Sequence, residues 1–376
     1  MLTVEAALER LLAGVGPTEI ESVGLADALG RAPSRAALTA THDVPPFDNS
    51  AMDGFAVRSS DGSGTRRVVG ESRAGGPAAP PVAAGTAVRI MTGAPTAGAH
   101  VRGAGHDVAR GASIELPGRT LTPSSIGLLA ALGRAFVDVH RRPRVAILST
   151  GDELVAAGAP LGAGQIHDAN GPALAAAVTE AGGEPILLER AGDDPMTIEA
   201  LVRKGAERAD LLVASGGVSV GAHDHVRTVI SRLGSLDFWR IAVQPGKPLA
   251  FGHVAERPVV GLPGNPVSAL VTFELFVRPM LRRMLDLAGD GRLRVRARVD
   301  EVIRTSTERR AYLRAVVRAD GDGYAAEAAG GQGSSQLLPL AVANALLVVP
   351  EGLPATVPGD SYEAILLGAV APGAAT

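Results

Sequence analysis

The stretch Leu211–Gly221, which reads LLVASGGVSVG, constrains the fold more than any other part of the chain. Its first four residues are apolar, as expected of a strand that is buried on both faces. The polar turn Ser215–Gly217 ends this strand, and its two glycines leave backbone amides without side-chain cover. Open α/β sheets bind ligands at the carboxyl ends of their strands, so the turn is a candidate ligand site. A strand-to-helix turn without a ligand is the alternative.

Strands and helices alternate from Arg144 onwards. The sequence predicts strands at 145–148, 185–188, 211–214 and 258–261, and helices at 172–181, 196–207, 224–233 and 267–287. This alternation is typical of a doubly wound α/β domain with parallel strands. Polar loops follow three of the strands, at 149–153, 215–224 and 263–268. Because loops at one edge of such a sheet converge, we expect these three to build one site.

The remaining sequence predicts smaller regions around the α/β domain. Leu2–Val15 has leucines at helical spacing, 58–116 has short β-like runs, and 122–139 predicts a second helix. Strict alternation at Leu293–Val299 and Tyr312–Val317 predicts a small β-barrel or open sheet. We therefore expect an α/β multidomain fold with a helical N-terminal and linker domain (1–26 and 118–142), a small β domain (27–117), the α/β domain (143–291) and a C-terminal β domain (292–376).

Composition excludes several classes of protein. A chain of 376 residues with 46% hydrophobic residues is globular and too long for one ordinary core. The net charge of −3 and the lack of a basic patch argue against a nucleic-acid partner. The lack of cysteine excludes disulfides and thiolate metal sites. No apolar run has membrane-spanning length and no secretory signal is present, so we expect a cytoplasmic protein without a membrane partner.

Carboxylates are frequent at the predicted sheet edge. Oxygen-only ligands suit Mg²⁺, and glycine-rich loops suit the phosphate groups that accompany it. Several of these carboxylates have a simpler alternative role, because Asp193 and Asp194 can cap the helix at 196, Asp152 can cap its own turn and Asp224 can cap the helix at 225. The candidates are Asp152, Glu153, Asp168, Asp193, Asp194 and Asp224.

Two other chemistries have less support. Gly217–Gly221 matches the Gly-x-Ser-x-Gly nucleophile elbow, but Ser215 and Gly216 separate it from the strand and no acid–histidine pair follows. The cluster His223–His225 contains two histidines that flank an aspartate and would point apart, which is unfavourable for zinc. The hypothesis of a generic nucleotide-phosphate hydrolase is supported only by the three polar loops.

Two further features are unusual. The loop Phe47–Val57 contains Asp48, Asn49, Ser50 and Asp53, which is dense for a solvated turn, although a hairpin turn at Asp53-Gly54 is the alternative. The chain has only two lysines, and Lys247 lies in the rigid sequence Pro-Gly-Lys-Pro. This favours a requirement for an ammonium group there rather than a guanidinium group.

Six motifs occur together and in order: PPFDNSAMDGFAV, RIMTGAP, VAILSTGDELV, SGGVSVGAHD, QPGKPLAFG and GLPGNPVSAL. Together they resemble the molybdopterin molybdenumtransferase family, of MoeA and gephyrin E-domain type, over most of the chain. The resemblance implies an elongated, dimeric, four-domain molecule. It implies the insertion of molybdate into adenylylated molybdopterin with release of AMP and with Mg²⁺. The molybdopterin adenylyltransferase is then an expected partner.

The resemblance also implies roles for individual residues. The loop that contains Asp53 is similar to a lid from the partner subunit, which implies a homodimer with composite active sites. The implied catalytic residues are Asp53, Thr92, Asp224 and Lys247. The implied pterin-binding residues are Ser215, Gly216, Gly217, Ser219, Pro263, Gly264, Asn265, Pro266 and Ser268, and the implied magnesium ligands are Glu153, Asp193 and Asp224.

The chain departs from the family pattern in two places. The family often has lysine where this chain has Gln244, which implies one cation fewer in the molybdate pocket. The second domain looks shortened between Ala99 and Gly105, and His106 replaces a glutamate beside Asp107. These departures motivate one alternative function, a non-catalytic pterin-binding or scaffold paralogue.

Overall fold

The computed structural model describes residues 1–76, 80–96, 98–116, 118–217 and 225–372. The chain divides into two compact units. The discontinuous unit contains Met1–Glu19 and His140–Thr376, and the inserted unit contains Ile20–Val139. Across the described residues, every helix is too short or too polar to span a lipid bilayer.

The first helix, α1 (Val4–Ala13), belongs to the discontinuous unit. The Thr3 side chain caps it by accepting a hydrogen bond from the Ala6 amide at 3.1 Å. Its apolar face, with Val4, Ala7 and Leu11, is buried in the largest hydrophobic core. The helical spacing of the leucines therefore predicted this element correctly.

The inserted unit consists mainly of short strands. Its main sheet has three strands in the order β4-β6-β5, and β1–β9, β2–β8 and β3–β7 form separate pairs. Short 3₁₀ turns occur at Leu25–Asp27 and Ser59–Asp61. The elements are β1 (Ile20–Gly24), β2 (Leu38–Thr39), β3 (Asn49–Ser50), β4 (Gly54–Ala56), β5 (Arg67–Ser72), β6 (Thr86–Ile90), β7 (Val101–Arg102), β8 (Ser113–Ile114), α2 (Pro123–Ala131) and β9 (Phe136–His140).

The helix predicted at 122–139 is wrong in its second half. Helix α2 ends at Ala131, and strand β9 follows. Val137 and Val139 are buried, whereas Phe136 and Asp138 are exposed, so the residues alternate between two faces as in a strand. The apolar spacing of α2 and the alternation of β9 run together in the sequence and resemble one longer helix.

The α/β domain lies in the discontinuous unit. Its mixed sheet has the strand order β13-β10-β14-β18-β17-β15. Its elements are β10 (Arg144–Ser149), β11 (Leu154–Val155), β12 (Ile166–His167), α3 (Asn170–Glu180), β13 (Glu184–Leu187), α4 (Pro195–Arg208), β14 (Leu211–Ser215), α5 (His225–Leu233), β15 (Gly234–Arg240), β16 (Val243–Gln244), β17 (Pro248–Val254), β18 (Arg257–Leu262), α6 (Pro266–Thr272), a π-helical turn (Phe273–Val277) and α7 (Arg278–Met284).

Four neighbouring strands of this sheet, β13, β10, β14 and β18, are parallel, and hydrophobic cores cover both faces. From β10 the chain crosses to β13 on one side and then returns to β14 on the other. The topological switch point therefore lies between β10 and β14. This confirms the doubly wound α/β fold.

Strand β17 pairs antiparallel with both β18 and β15, so the sheet is mixed; the sequence analysis predicted parallel strands and did not predict β17 or β15. The two-residue hairpin between β17 and β18 has Ala255 and Glu256 at φ 47° and 64°. Such turns normally use Asn or Gly, so these two residues gave no hairpin signal in the sequence.

The C-terminal strands form a closed five-stranded barrel. The order is β20-β21-β19-β23-β22, and β22 pairs again with β20 to close the ring. Along β20, Leu313, Ala315 and Val317 point into the barrel core, whereas Tyr312 packs against the α/β core. The elements are β19 (Arg294–Val299), β20 (Arg310–Asp320), β21 (Gly323–Ala328), α8 (Leu337–Val342), β22 (Ala345–Val349) and β23 (Ser361–Leu366).

Candidate functional site

A cavity of about 750 Å³ lies at the carboxyl ends of β10, β14 and β18, next to the switch point. The polar loops after these three strands all contribute to its wall, as the sheet topology requires. Its lining includes Ser149, Thr150, Gly151, Glu153, Asp168, Asn170, Asp193, Ser215, Gly216, Gly217, Gly246, Pro248, Pro263, Gly264, Asn265, Pro266, Ser268 and Ser335.

Buried hydroxyl groups form the floor of this cavity. Ser149 and Ser215 are register partners on the adjacent strands β10 and β14, and Thr150 follows directly. All three residues are at most 6% exposed. The Ser149 and Thr150 hydroxyls have no hydrogen-bond partner among the described residues. A buried hydroxyl without a partner costs roughly 1–3 kcal/mol, so this floor favours a polar ligand.

Asn170 joins two of the three loops. Its side-chain amide donates to the Ser215 hydroxyl and to the Gly264 carbonyl, both at 2.7 Å. Beside it, the buried Asp168 accepts the Gly171 amide at 2.9 Å and thereby holds the start of α3. The sequence analysis assigned no binding role to Asn170, because an asparagine at a helix start usually satisfies the helix alone.

The two glycines after β14 let the backbone pass close to the hydroxyl groups on the cavity floor. Gly216 and Gly217 have φ of 88° and 61°. A Cβ atom at Gly217 would lie 2.5 Å from the Val226 side chain and 3.0 Å from the Thr150 hydroxyl. No larger residue fits there, and within the described residues the Gly216 and Gly217 amides donate no backbone hydrogen bond, so they are suited to a ligand.

Two of the predicted magnesium ligands, Glu153 and Asp193, line the same cavity. Asp152 and Asp194 have the structural roles: Asp152 accepts the Asp193 amide at 2.9 Å, and Asp194 caps α4 by accepting the Thr197 amide at 2.9 Å. Among the described residues, no group of three metal-binding side chains is found. Two carboxylates nevertheless fit Mg²⁺, which commonly takes one or two carboxylates and completes its shell with phosphate oxygens and water.

Three predicted features fall on residues 218–224, outside the described part of the chain. They are the pterin-binding Ser219, the catalytic and metal-binding Asp224, and most of the nucleophile-elbow and histidine clusters.

The loop after β18 contacts the barrel. The Asn265 side-chain amide donates to the Ser334 hydroxyl at 3.1 Å, and the Val267 backbone amide donates to the Ser334 carbonyl at 3.2 Å. Ser268 is buried and lines the cavity, as does Ser335 from the barrel loop. One wall of the cavity therefore comes from the C-terminal domain, which the sequence analysis did not include in the site.

Arg314 on β20 supports this barrel loop. Only 1% of it is exposed, and its guanidinium donates to the Gly331 and Gly333 carbonyls at 3.1 Å. No acidic side chain pairs with it among the described residues, and burial lowers the pKa of Arg314 below its usual range. The glycine-rich run Gly330–Gly333 is the only sequence signal that could have pointed to this loop.

Lys247 is half-buried and lies between two residues of the cavity wall, Gly246 and Pro248, but does not itself line the cavity. Its carbonyl accepts the Ile241 amide at 2.9 Å. Within the described residues its ammonium group has no ion pair, so the charge is available to an anion.

Asp53 and Thr92 lie together in the inserted unit. One Asp53 carboxylate oxygen accepts the Thr92 amide at 2.6 Å and the Thr92 hydroxyl at 2.8 Å. These bonds, the amide first, hold the pKa of the exposed Asp53 below its usual range and keep it ionised. The two predicted catalytic residues of this unit are thus neighbours.

Three known families match successive parts of the chain. The MoeA N-terminal region (domain I and II) matches residues 2–97, the probable molybdopterin binding domain matches 146–283, and the MoeA C-terminal region (domain IV) matches 296–367.

Relatives match most of the chain. Molybdopterin molybdenumtransferase 2 of Mycobacterium tuberculosis is 38% identical over 351 residues, covering 82% of this chain and 85% of its own length. Molybdopterin molybdenumtransferase of Haemophilus influenzae is 39% identical over 315 residues, covering 76% and 78%. The crystal structure of the molybdopterin biosynthesis MoeA protein from Pyrococcus horikosii superimposes with a TM-score of 0.80 at 32% identity, covering 98% of this chain and all of its own.

Proposed function

Because the chain belongs to the molybdopterin molybdenumtransferase family, we propose that it inserts molybdate into adenylylated molybdopterin and releases AMP. The cavity at the switch point carries this proposal. It combines glycine amides, buried hydroxyls, carboxylates and a nearby lysine at the place where open α/β sheets bind ligands.

The phosphates and the pterin are bound by different parts of this cavity. The amides of Gly216 and Gly217 are suited to phosphate oxygens, because a turn of successive N–H groups binds anions. The hydroxyls of Ser149, Thr150 and Ser268 and the Gly264–Asn265 loop are suited to the polar edge of the pterin ring. Donors and acceptors fixed by the sheet position the substrate before reaction.

Glu153, Asp193 and Asp224 would hold the magnesium ion. When bound there, Mg²⁺ neutralises charge on the pyrophosphate, which assists cleavage of a phosphorus–oxygen bond. Because carboxylates repel phosphate, these residues would position the pyrophosphate only through the ion that they hold, while the amides of the Gly216–Gly217 turn bind phosphate oxygens directly. Phosphoryl chemistry of this kind depends on positioning and charge neutralisation more than on a covalent nucleophile.

Molybdate is a dianion, and Lys247 supplies a positive charge for it. Asp53 and Thr92 act on the same reaction from the partner subunit of a homodimer, so each active site is composite. We also propose that the protein is cytoplasmic and that the molybdopterin adenylyltransferase supplies the substrate.

The test is AMP release by purified protein with adenylylated molybdopterin, molybdate and Mg²⁺. We expect release that requires molybdate. If molybdopterin binds but no AMP appears above background, the non-catalytic paralogue is correct instead.

Lys247→Ala tests the placement of the anion in the same assay. A charge-assisted hydrogen bond contributes roughly 1.5–3 kcal/mol, so we expect the molybdate requirement to rise about tenfold or more with little change in pterin affinity. The matched control is Lys204→Ala, since Lys204 is the other lysine and pairs with the exposed Glu189 on the protein surface. Equal molybdate requirements in the two variants would show that the anion binds elsewhere.

A further inference from the structure

The side chain of Gln244 is turned towards the barrel. Strand β16, which contains Gln244, pairs in parallel with β20, opposite Arg310 and Ala311. The Gln244 side-chain oxygen accepts the Ser306 amide at 3.0 Å. Gly246 and Pro248 line the cavity, whereas neither Gln244 nor Lys247 does, so the hydrogen bond to Ser306 is the observation that distinguishes Gln244. The geometry therefore differs from the expectation that this position faces the anion.

The barrel loop that contains Ser306 is itself fixed. The Thr305 hydroxyl donates to the Leu353 carbonyl at 2.7 Å, and the Thr305 amide donates to the Pro354 carbonyl at 2.8 Å. Because these bonds hold the loop, the Gln244 contact joins the 244–248 segment to a rigid part of the barrel.

The other end of the same segment is fixed by α6. Gly246 has φ 109°, and a Cβ atom there would lie 2.4 Å from the Thr272 methyl group. The Thr272 hydroxyl donates to the Ser268 carbonyl at 2.7 Å, and Ser268 is part of the cavity wall. The segment that carries Lys247 is thus held between the barrel on one side and the cavity wall on the other.

We propose that Gln244 is a positioning residue: its side-chain oxygen holds the 244–248 segment and so fixes Lys247 beside the cavity wall, while the Gln244 side chain does not bind the anion. The identity of the anion, molybdate, rests on the proposed function. A lysine at position 244 has no acceptor for the Ser306 amide, so it would lose this contact.

Three substitutions distinguish a Gln244 that positions the 244–248 segment from a residue 244 that binds the anion directly. Gln244→Glu keeps an acceptor and adds a negative charge, whereas Gln244→Lys and Gln244→Leu remove the acceptor. For a positioning residue, we expect Gln244→Glu to keep the KM for molybdate within about threefold of wild type, and the other two to raise it about fivefold or more while kcat changes less. The matched control is Gln165→Leu, which removes a comparable contact to the Gly162 amide in an exposed loop and leaves the KM unchanged.

Hydrogen exchange gives a second readout that does not need activity. We expect the amides of Ser306, Gln244, Gly246 and Lys247 to exchange faster in Gln244→Lys and Gln244→Leu, but at the wild-type rate in Gln244→Glu. A tenfold rise in KM with Gln244→Glu, a lower KM with Gln244→Lys, or unchanged exchange in all variants would overturn the proposal. If wild-type protein releases no AMP, the proposed function fails, and the exchange rates of 244–248 alone decide whether Gln244 positions this segment.

Discussion

Ser149 and Thr150 show how single residues can indicate a ligand. Each hydroxyl is buried and lacks a partner among the described residues, beside a turn that only glycine can form. Secondary structure does not require a hydroxyl at either position, because apolar residues of similar shape would fit the same strand end. Burying the Ser149 and Thr150 hydroxyls without a partner destabilises the fold, and a polar ligand that completes their hydrogen bonds would explain why they are there.

Thr150→Val tests this explanation, because valine keeps the shape and removes the hydroxyl. We expect the free energy of unfolding to stay equal or to rise by up to about 1 kcal/mol, since no bond within the described chain is lost. We expect the affinity for molybdopterin to fall about fivefold or more. Thr179→Val, which removes a hydroxyl on α3 that donates to the Ala175 carbonyl, is the control. Titration of pterin binding and chemical denaturation measure both quantities, and equal pterin affinity in the two variants would contradict a ligand role.

The sequence predicted which strand-end residues line the cavity, but not the residues that tertiary contacts add to its surroundings. Gly216, Gly217 and Asn265 lie in loops that the strand–helix pattern places at one sheet edge. Arg314 occupies a position in a β-strand, where an arginine ordinarily faces solvent. Only the closed barrel shows that this side chain is buried under the Gly330–Gly333 run.

At the scale of elements, an ion pair between Arg141 and Asp210 holds together the starts of the neighbouring strands β10 and β14. Asp210, just before β14, accepts two hydrogen bonds from the Arg141 guanidinium, at 2.8 and 2.9 Å, and one from the Arg144 amide at 2.8 Å. Burial alone would raise the pKa of Asp210, but the bonds from Arg141 and Arg144 outweigh it and lower that pKa below its usual range. Asp210 therefore stabilises the sheet in its ionised form.

Asp210→Asn should lower the free energy of unfolding by about 2 kcal/mol at pH 7, less than for a fully buried pair because Arg141 reaches solvent. The pKa is lower in the folded state, so this stabilisation is complete above the unfolded carboxyl pKa of about 4 and is lost as the pH falls through the folded value. The difference between wild type and variant should therefore shrink below about pH 4. Urea denaturation across this range measures it, with Asp237→Asn on the exposed side of β15 as the control. A difference that does not depend on pH would rule out the charge as its cause.

Elements with regular apolar spacing were predictable, and those defined by unusual turns were not. Helices α1 and α4 and strands β10, β14 and β18 follow directly from periodicity. The hairpin at Ala255 and Glu256 was missed because its positive φ angles are imposed by the pairing of β17 with β18, not by residues that prefer them.

At the scale of the whole molecule, composite active sites predict complementation between two inactive variants. Asp53→Ala and Asp224→Ala homodimers should each be nearly inactive, since every site lacks one group. Random pairing after co-expression makes about half of the dimers mixed, and each mixed dimer has one intact site of two. AMP release should therefore recover to about a quarter of the wild-type rate.

The control for complementation is the double variant, Asp53→Ala with Asp224→Ala on one chain, mixed with wild type. Those mixed dimers have no intact site if Asp53 and Asp224 come from different chains, so the mixture should keep only the activity of wild-type homodimers. If the two single variants form mixed dimers but recover no activity, both residues serve one site within a single chain.

The division of the chain has a consequence for its synthesis on the ribosome. Helix α1 is translated before its packing partners Phe273, Phe276 and Met280, which lie more than 250 residues later in the chain. At about 5–20 residues per second, the nascent helix waits for tens of seconds before its partners emerge. The inserted unit, residues 20–139, is complete in sequence long before that and can fold first. During translation, the inserted unit can therefore be folded while the apolar face of α1 is still exposed. That face is then open to binding by chaperones.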